Sequence, residues 1–369
     1  MEGRAAVLWG IGEDWQVEEV ELDDPEPDEA LVKMVAAGLC HSDEHIRTGD
    51  IPIALPAVGG HEGSGIVEKV GSRVTSLVPG DHVVMSFIPS CGRCRWCASG
   101  HQTLCDLGRY LMLGSIANGV PRMRAKGQPV SPMSLVGCFA THQVMNEASL
   151  VKIEPDLPLD KAALVSCGVT TGWGSAVHSA NVRPGDVVVV VGIGGIGSNA
   201  VQGARMAGAR WIVAVDPLES KREAGKRFGA THAAEDVFQA FALVNDLTSG
   251  QLADSAILTT DVARGDLLGP TMALVRKGGA VVVTAIGPFS QSEVNLSLFE
   301  LTLWHKEVRG SLFGGGNPRV DIPQLLSFYK DGTLQLDELI TKAYALEEVN
   351  EGYQDMRDGK NLRGVIVFD

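Results

Sequence analysis

The feature that most restricts what this chain can become is a glycine loop set between a strand and a helix. Residues 186–191 (DVVVVV) read as a buried strand, and residues 195–207 carry helical apolar spacing. Between them runs Gly192-Ile193-Gly194-Gly195-Ile196-Gly197, a G-x-G-x-x-G in the setting that gives the pattern meaning. The first glycine makes a tight turn, the second lets backbone approach a pyrophosphate, and the third lets the helix lie close on the strand. Phosphates then meet the partial positive charge of the helix N-terminus. Residues 211–216 (WIVAVD) read as the next strand. Asp216 at its end stands where an acid binds both ribose hydroxyls of the adenosine half and repels a 2′-phosphate, which favours NAD over NADP. Lys221 is a further candidate ribose contact. The plainer readings are a turn residue for Asp216 and a solvated helix lysine for Lys221.

The same texture continues, with a helical stretch at 220–228 and a buried strand at 280–286 (AVVVTAI). Alternating strands and helices imply a doubly wound parallel sheet covered on both faces. Upstream of about Gly168 the pattern differs. Short strands at 30–37 and 65–70 are punctuated by Pro25, Pro27, Pro52, Pro56, Pro79 and Pro89, which suggests a β-rich domain, a partial barrel. The tail carries helical stretches at 322–329 and 347–357 and a strand at 363–368. At 369 residues the chain is too long for one compact core and fits two domains.

Cysteine usage narrows the chemistry. An odd count of seven, with no basic-then-apolar leader in residues 1–15, argues against a disulfide framework and for a reducing, cytoplasmic setting. No apolar run approaches membrane-spanning length. A net charge of −14 makes nucleic acid and anionic lipid poor partners. Four cysteines, Cys91, Cys94, Cys97 and Cys105, form C-x2-C-x2-C-x7-C. Four thiolates that close together can complete a tetrahedral shell with no open position, a structural zinc. An iron–sulfur cluster also takes four thiolates. Zinc is favoured because nothing nearby calls for an electron carrier.

Further metal-ligand types are scattered: Cys40-His41-Ser42-Asp43-Glu44-His45 after a strand, Gly60-His61-Glu62, and Cys167 before Gly168-Val169-Thr170-Thr171-Gly172. Two thiolates and an imidazole would leave a fourth zinc position open for water or substrate, and such a zinc lowers the pKa of a bound alcohol. Spacing leaves this reading level with a bland one, in which buried cysteines are small hydrophobes and the histidine a turn residue.

Taken in order, C-H-S-D-E-H (40–45), G-H-E-G-S-G-I-V (60–67), the four-cysteine lobe, C-G-V-T-T-G (167–172) and G-I-G-G-I-G (192–197) resemble the zinc-dependent medium-chain alcohol dehydrogenases along the whole chain. The resemblance implies an α/β protein. A GroES-like β-rich catalytic domain (1–168 and 314–369) would be joined to a Rossmann domain (169–313). It implies two zinc ions per chain and NAD(H). Cys40, His61 and Cys167 would bind the catalytic zinc, and Cys91, Cys94, Cys97 and Cys105 the structural one. Glu62 would stand behind the metal. Asp43 would orient His61 through its far nitrogen. Ser42 would take the alcohol proton and pass it through the nicotinamide ribose to His45, an imidazole being suited to proton exchange near neutral pH. His41 stands where many members carry a pyrophosphate-binding arginine, and Arg363 matches an arginine that reaches the cofactor phosphates.

Phe87 and Phe139 occupy positions expected to wall the substrate pocket. Arg109 resembles the carboxylate-binding arginine of glutathione-dependent formaldehyde dehydrogenases, and His41 also suits that subgroup, whereas His45 does not. The stretches 86–91 (SFIPSC), 313–318 (FGGGNP) and 352–356 (GYQDM) resemble the nicotinoprotein alcohol dehydrogenases, which recycle tightly held NAD(H) and are assayed with N,N-dimethyl-4-nitrosoaniline. The expected partners are a small alcohol or aldehyde and further copies of the chain, associating through edge strands of the Rossmann sheet at 280–286 and 308–313. A non-catalytic cofactor-binding relative would have lost the catalytic zinc ligands, which are all kept here. A thiol redox sensor built on zinc is the other non-enzyme alternative.

Overall fold

The computed structural model describes residues 1–111, 113 and 119–369. The chain divides into two compact units, Met1–Cys167 with Asn317–Asp369, and Gly168–Gly316.

The first unit is built from antiparallel pairings between distant stretches. Strands Glu2–Leu8, Gln16–Leu22, Met123–Ala125, Gln128–Pro132 and Ala57–Val58 close a barrel. A seven-stranded sheet centres on Glu29–Gly38, which pairs with Glu62–Val70, with His142–Asn146 and with the C-terminal strand Arg363–Val367. That last pairing makes the chain's end part of this unit. Its core is apolar and includes Leu8, Trp15, Met34, Leu39, Phe139 and Tyr353. The closed barrel and added sheet make this the GroES-like domain read from the sequence.

The second unit is a six-stranded parallel sheet in the order His232–Ala234, Trp211–Val215, Val187–Val191, Ala253–Leu258, Val275–Val283, Glu307–Gly310. All five residues of Val187–Val191 are buried, as expected of a central strand covered by helices on both faces. Chain order reverses beside this strand, and ligands of such sheets bind beyond the strands' carboxyl ends at the reversal. The glycine loop occupies that place.

One sequence expectation is corrected here. The strand near 280–286, expected at an edge, runs Val275–Val283. It lies inside the sheet, hydrogen-bonded to Ala253–Leu258 on one side and Glu307–Gly310 on the other. Only the latter ends the sheet on that side. Val281 and Val282 in Val275–Val283 are fully buried, as an interior strand requires.

Candidate active site

Within the first unit, Cys40, His61, Glu62 and Cys167 are all buried. One ligand atom from each lies within 4.8 Å of the others. The fold brings them together from separate elements. Cys40 precedes the helix His41–Thr48, His61 precedes the strand Glu62–Val70, and Cys167 follows a short 3-10 turn. Ser166, next to Cys167, ties two of these stretches. Its hydroxyl accepts from Gly63 N–H at 2.8 Å and donates to the Ala163 carbonyl at 2.7 Å. Gly60 adopts φ +82°, and a Cβ there would meet the Phe139 backbone nitrogen at 2.9 Å, so only glycine lets the chain turn into His61.

Asp43 is fully buried and holds His61 from behind. His61 Nδ1 donates to Asp43 Oδ1 at 3.2 Å, and Gly60 N–H donates to the same oxygen at 3.0 Å. That leaves His61 Nε2, a buried nitrogen with no hydrogen-bond partner. An orphaned buried nitrogen is costly unless something absent occupies it. The thiols point the same way. A hydrogen bond from the Cys167 thiol, aided by His61, holds Cys40 well below the usual thiol range against the opposing effect of burial. The same shared proton, with burial, pushes Cys167 well up. Two sulfurs sharing one proton beside a free imidazole nitrogen are a donor set that fits a zinc ion.

Glu62 forms an ion pair with Arg363, both buried. Burial pushes the Glu62 carboxyl up to about 7, with the guanidinium pulling the other way. Arg363, expected at cofactor phosphates, is held on Glu62 within this unit because the strand Arg363–Val367 pairs with Glu29–Gly38, the neighbour of the Glu62 strand.

Ser42 and His45 share the His41–Thr48 helix, on which His41 is exposed at the first position. Ser42 Oγ lies 3.9 Å from Cys40 Sγ. Phe87 meets the His61 ring edge-to-face at 5.5 Å. Phe139 corrects its expectation. It is fully buried in the domain core, edge-on to Trp15 at 5.9 Å and tilted against Tyr353 at 6.3 Å. The glycine pair Gly59-Gly60 leaves room for that ring, a packing relation that no local spacing announces.

In the lobe, the four cysteine sulfurs also lie within 4.8 Å of one another. Cys91 and Cys97 sulfurs are 4.0 Å apart, as are those of Cys94 and Cys105. Sulfurs on a tetrahedral zinc with ~2.3 Å bonds stand ~3.8 Å apart, so the lobe fits a single ion; a multi-iron cluster would need wider spacing. The backbone N–H of Cys97 points at Cys94 Sγ and is the main cause of its pKa falling to about 6. Arg109 is spent locally, with its guanidinium over the Tyr110 ring at 4.7 Å and a 2.8 Å bond to its hydroxyl.

In the second unit, Gly192 takes φ +94° and Gly195 opens the helix Gly195–Met206, which no side chain caps. Ile196 is half-buried in its first turn. A Cβ on Gly194 would meet nothing within 4 Å, so protein packing does not explain glycine there, whereas close approach of a ligand does. Asp216 accepts from Ile193 N–H at 2.8 Å and from Leu218 N–H at 2.9 Å, locking the strand end to the loop. Burial lowers the Lys221 pKa, and the charge of Asp216 opposes that.

A buried thiol–imidazole cluster in one unit and a glycine loop at the carboxyl end of a parallel sheet in the other are the parts of a zinc-binding dehydrogenase. Residues 26–155 match the Alcohol dehydrogenase GroES-like domain and residues 195–331 the Zinc-binding dehydrogenase family. The chain belongs to the zinc-binding alcohol dehydrogenases. It is 50% identical over 370 residues to Alcohol dehydrogenase B of Mycobacterium tuberculosis, covering 100% of this chain and 99% of that one. It is 48% identical to the NDMA-dependent alcohol dehydrogenase of Amycolatopsis methanolica, covering 100% and 99%. Among solved structures, the benzyl alcohol dehydrogenase of Acinetobacter calcoaceticus superposes with a TM-score of 0.92 at 31% identity, each chain fully covered. No helix among the described residues is long and apolar enough to cross a membrane.

Proposed function

We propose that this protein oxidises small alcohols to aldehydes or ketones, and runs the reverse, by hydride transfer to an NAD that stays bound between turnovers. The observation that carries the reading is the buried His61 Nε2 left unpartnered beside the Cys40 and Cys167 sulfurs. Those three side chains would hold the catalytic zinc. When bound, zinc supplies a Lewis acid that makes an alcohol proton easier to lose. Asp43 keeps His61 in the tautomer that turns Nε2 inward. Ser42 takes the alcohol proton and passes it on toward His45. Glu62, fixed by Arg363, stands behind the thiols. The cysteine lobe would hold the second, structural zinc. Gly192–Gly197 would cradle a pyrophosphate, Asp216 and Lys221 the adenosine ribose, and His41 would lie near the phosphates. A free alcohol is favoured over a glutathione adduct because His45 stands where the glutathione-dependent subgroup carries a different residue.

Tight cofactor retention is supported by the stretches 86–91, 313–318 and 352–356 that resemble the nicotinoproteins, together with the 48% identity to an NDMA-dependent alcohol dehydrogenase. Purified protein, denatured and cleared, should release close to one NAD(H) per chain. The native enzyme should oxidise alcohols with an artificial acceptor and little added NAD. A cofactor-free supernatant, with turnover only on free NAD, would overturn retention while leaving the dehydrogenase reading intact.

Self-association through the second unit is also proposed. The edge strand Glu307–Gly310 lies near a surface carrying Leu298, Leu303 and Leu312, with Leu298 76% exposed. So much exposed apolar surface beside an open strand edge suits a partner copy. Sedimentation should show a dimer or larger; a monomer at micromolar concentration would sink the proposal.

A further inference from the structure

The helix carrying Ser42 ends just past His45, and the chain turns back on it. Gly49 closes the helix in a left-handed conformation, and Ile51 N–H donates to the His45 carbonyl at 3.1 Å. The reversal sets Asp50 Oδ2 3.2 Å from His45 Nδ1. The same oxygen accepts the Thr48 hydroxyl at 2.8 Å. These contacts, Thr48 first and His45 second, hold the Asp50 carboxyl below the usual carboxylate range. His45 is buried, whereas 37% of the Asp50 side chain is exposed. The neighbouring acid, Glu44, is engaged by Arg47 at 2.6 Å and by Arg357 at 2.9 Å. A buried imidazole is thus joined through one nitrogen to a braced carboxylate that reaches solvent.

We propose that Asp50 is a positioning residue for proton release: it accepts a hydrogen bond from His45 Nδ1–H and so fixes the tautomer whose Nε2 lone pair receives the proton. This deepens the reading of Ser42 and His45 above and rests on it. The alcohol O–H proton goes to the Ser42 hydroxyl, which gives up its own proton along the relay. His45 Nε2 gains a proton while its Nδ1–H stays on the Asp50 carboxylate. Loss of that proton to solvent restores the neutral Nδ1–H ring. The opposite tautomer would present an N–H to the relay, with no lone pair to accept. Thr48 keeps Asp50 from swinging away.

The test uses the intact holoenzyme with Asp50→Ala, His45→Gln and the double variant. Nitrogen-15 spectra of labelled histidine read the tautomer directly, and single-turnover kinetics read the hydride step. Wild-type His45 should be the Nδ1–H tautomer, and Asp50→Ala should make it mixed. That variant should slow the hydride step about tenfold, the low end of the cost of removing a histidine's carboxylate partner at metal sites. In the His45→Gln background the same change should cost nothing further. If Asp50→Ala leaves tautomer and rate unchanged while His45→Gln slows the step, the Asp50 proposal fails and the relay reading survives. If Asp50→Ala slows both backgrounds equally, Asp50 is merely structural and the proposal fails. If His45→Gln itself has no effect, the relay reading falls and the proposal with it.

Discussion

Replacing Cys40 by serine should cut kcat/KM at least about a thousandfold, or about 4 kcal/mol of transition-state stabilisation, and reduce bound zinc from two per chain to one. The sulfur is buried within 4.8 Å of the donor atoms of His61, Glu62 and Cys167. Serine is nearly isosteric, so no cavity opens. Cys40 also sits at the N-cap of the His41–Thr48 helix, a position serine fills well. What is lost is the thiolate. A serine hydroxyl stays protonated at neutral pH and is a poor match for a site whose other donors are a thiol and an imidazole. The lobe cysteines belong to a separate group and should keep their ion. Metal analysis, circular dichroism and steady-state kinetics on one preparation decide the matter. Retained turnover with both zincs present would refute the assignment, and loss of both zincs would mean that the change damaged more than the site.

How much of this was readable in advance depended on whether the geometry is local. The glycine loop and the four-cysteine lobe were legible because their spacing creates the contacts. In the lobe, the N–H of Cys94 reaches Cys91 Sγ at 3.4 Å and that of Cys97 reaches Cys94 Sγ at 3.5 Å, within a few residues of chain. Cys40, His61 and Cys167 meet only through sheet pairings between distant stretches, so residues alone left them undecided and resemblance was needed to group them. The same limit explains the corrections. Phe139 read as a pocket wall from its place in a motif, but Trp15 and Tyr353, from opposite ends of the chain, enclose it. The Glu62–Arg363 pair was equally hidden, since it forms only because the strands of these two residues both flank Glu29–Gly38. Asp50 went unremarked. The signal that could have found it is the left-handed glycine, Gly49, which returns the chain to His45.

Substituting Gly197 by alanine should lower cofactor affinity at least about a hundredfold, about 2.7 kcal/mol, without disturbing zinc. The added Cβ would stand 1.9 Å from the Gly192 carbonyl oxygen and 2.9 Å from Thr259 Oγ1. That carbonyl is backbone, pinned by the Thr259 hydroxyl at 2.7 Å, so it cannot rotate away as a long side chain would. The helix Gly195–Met206 must lift off the strand instead, spreading the loop and turning its uncapped N–H groups from the place where a pyrophosphate would lie. Overpacking of this kind costs about 1–3 kcal/mol of stability, so melting should also fall by a few degrees. Gly194→Ala separates the two effects. Its Cβ enters open space, so melting should not change, yet cofactor binding should weaken because the methyl occupies the approach of the phosphates. All seven candidate zinc donors lie in the other unit, and metal content should stay at the wild-type value in both variants. Unchanged binding in Gly194→Ala would mean that the loop does not carry the pyrophosphate. Unchanged binding in Gly197→Ala would mean that the helix tolerates displacement, and the close-packing account of this loop would have to be given up.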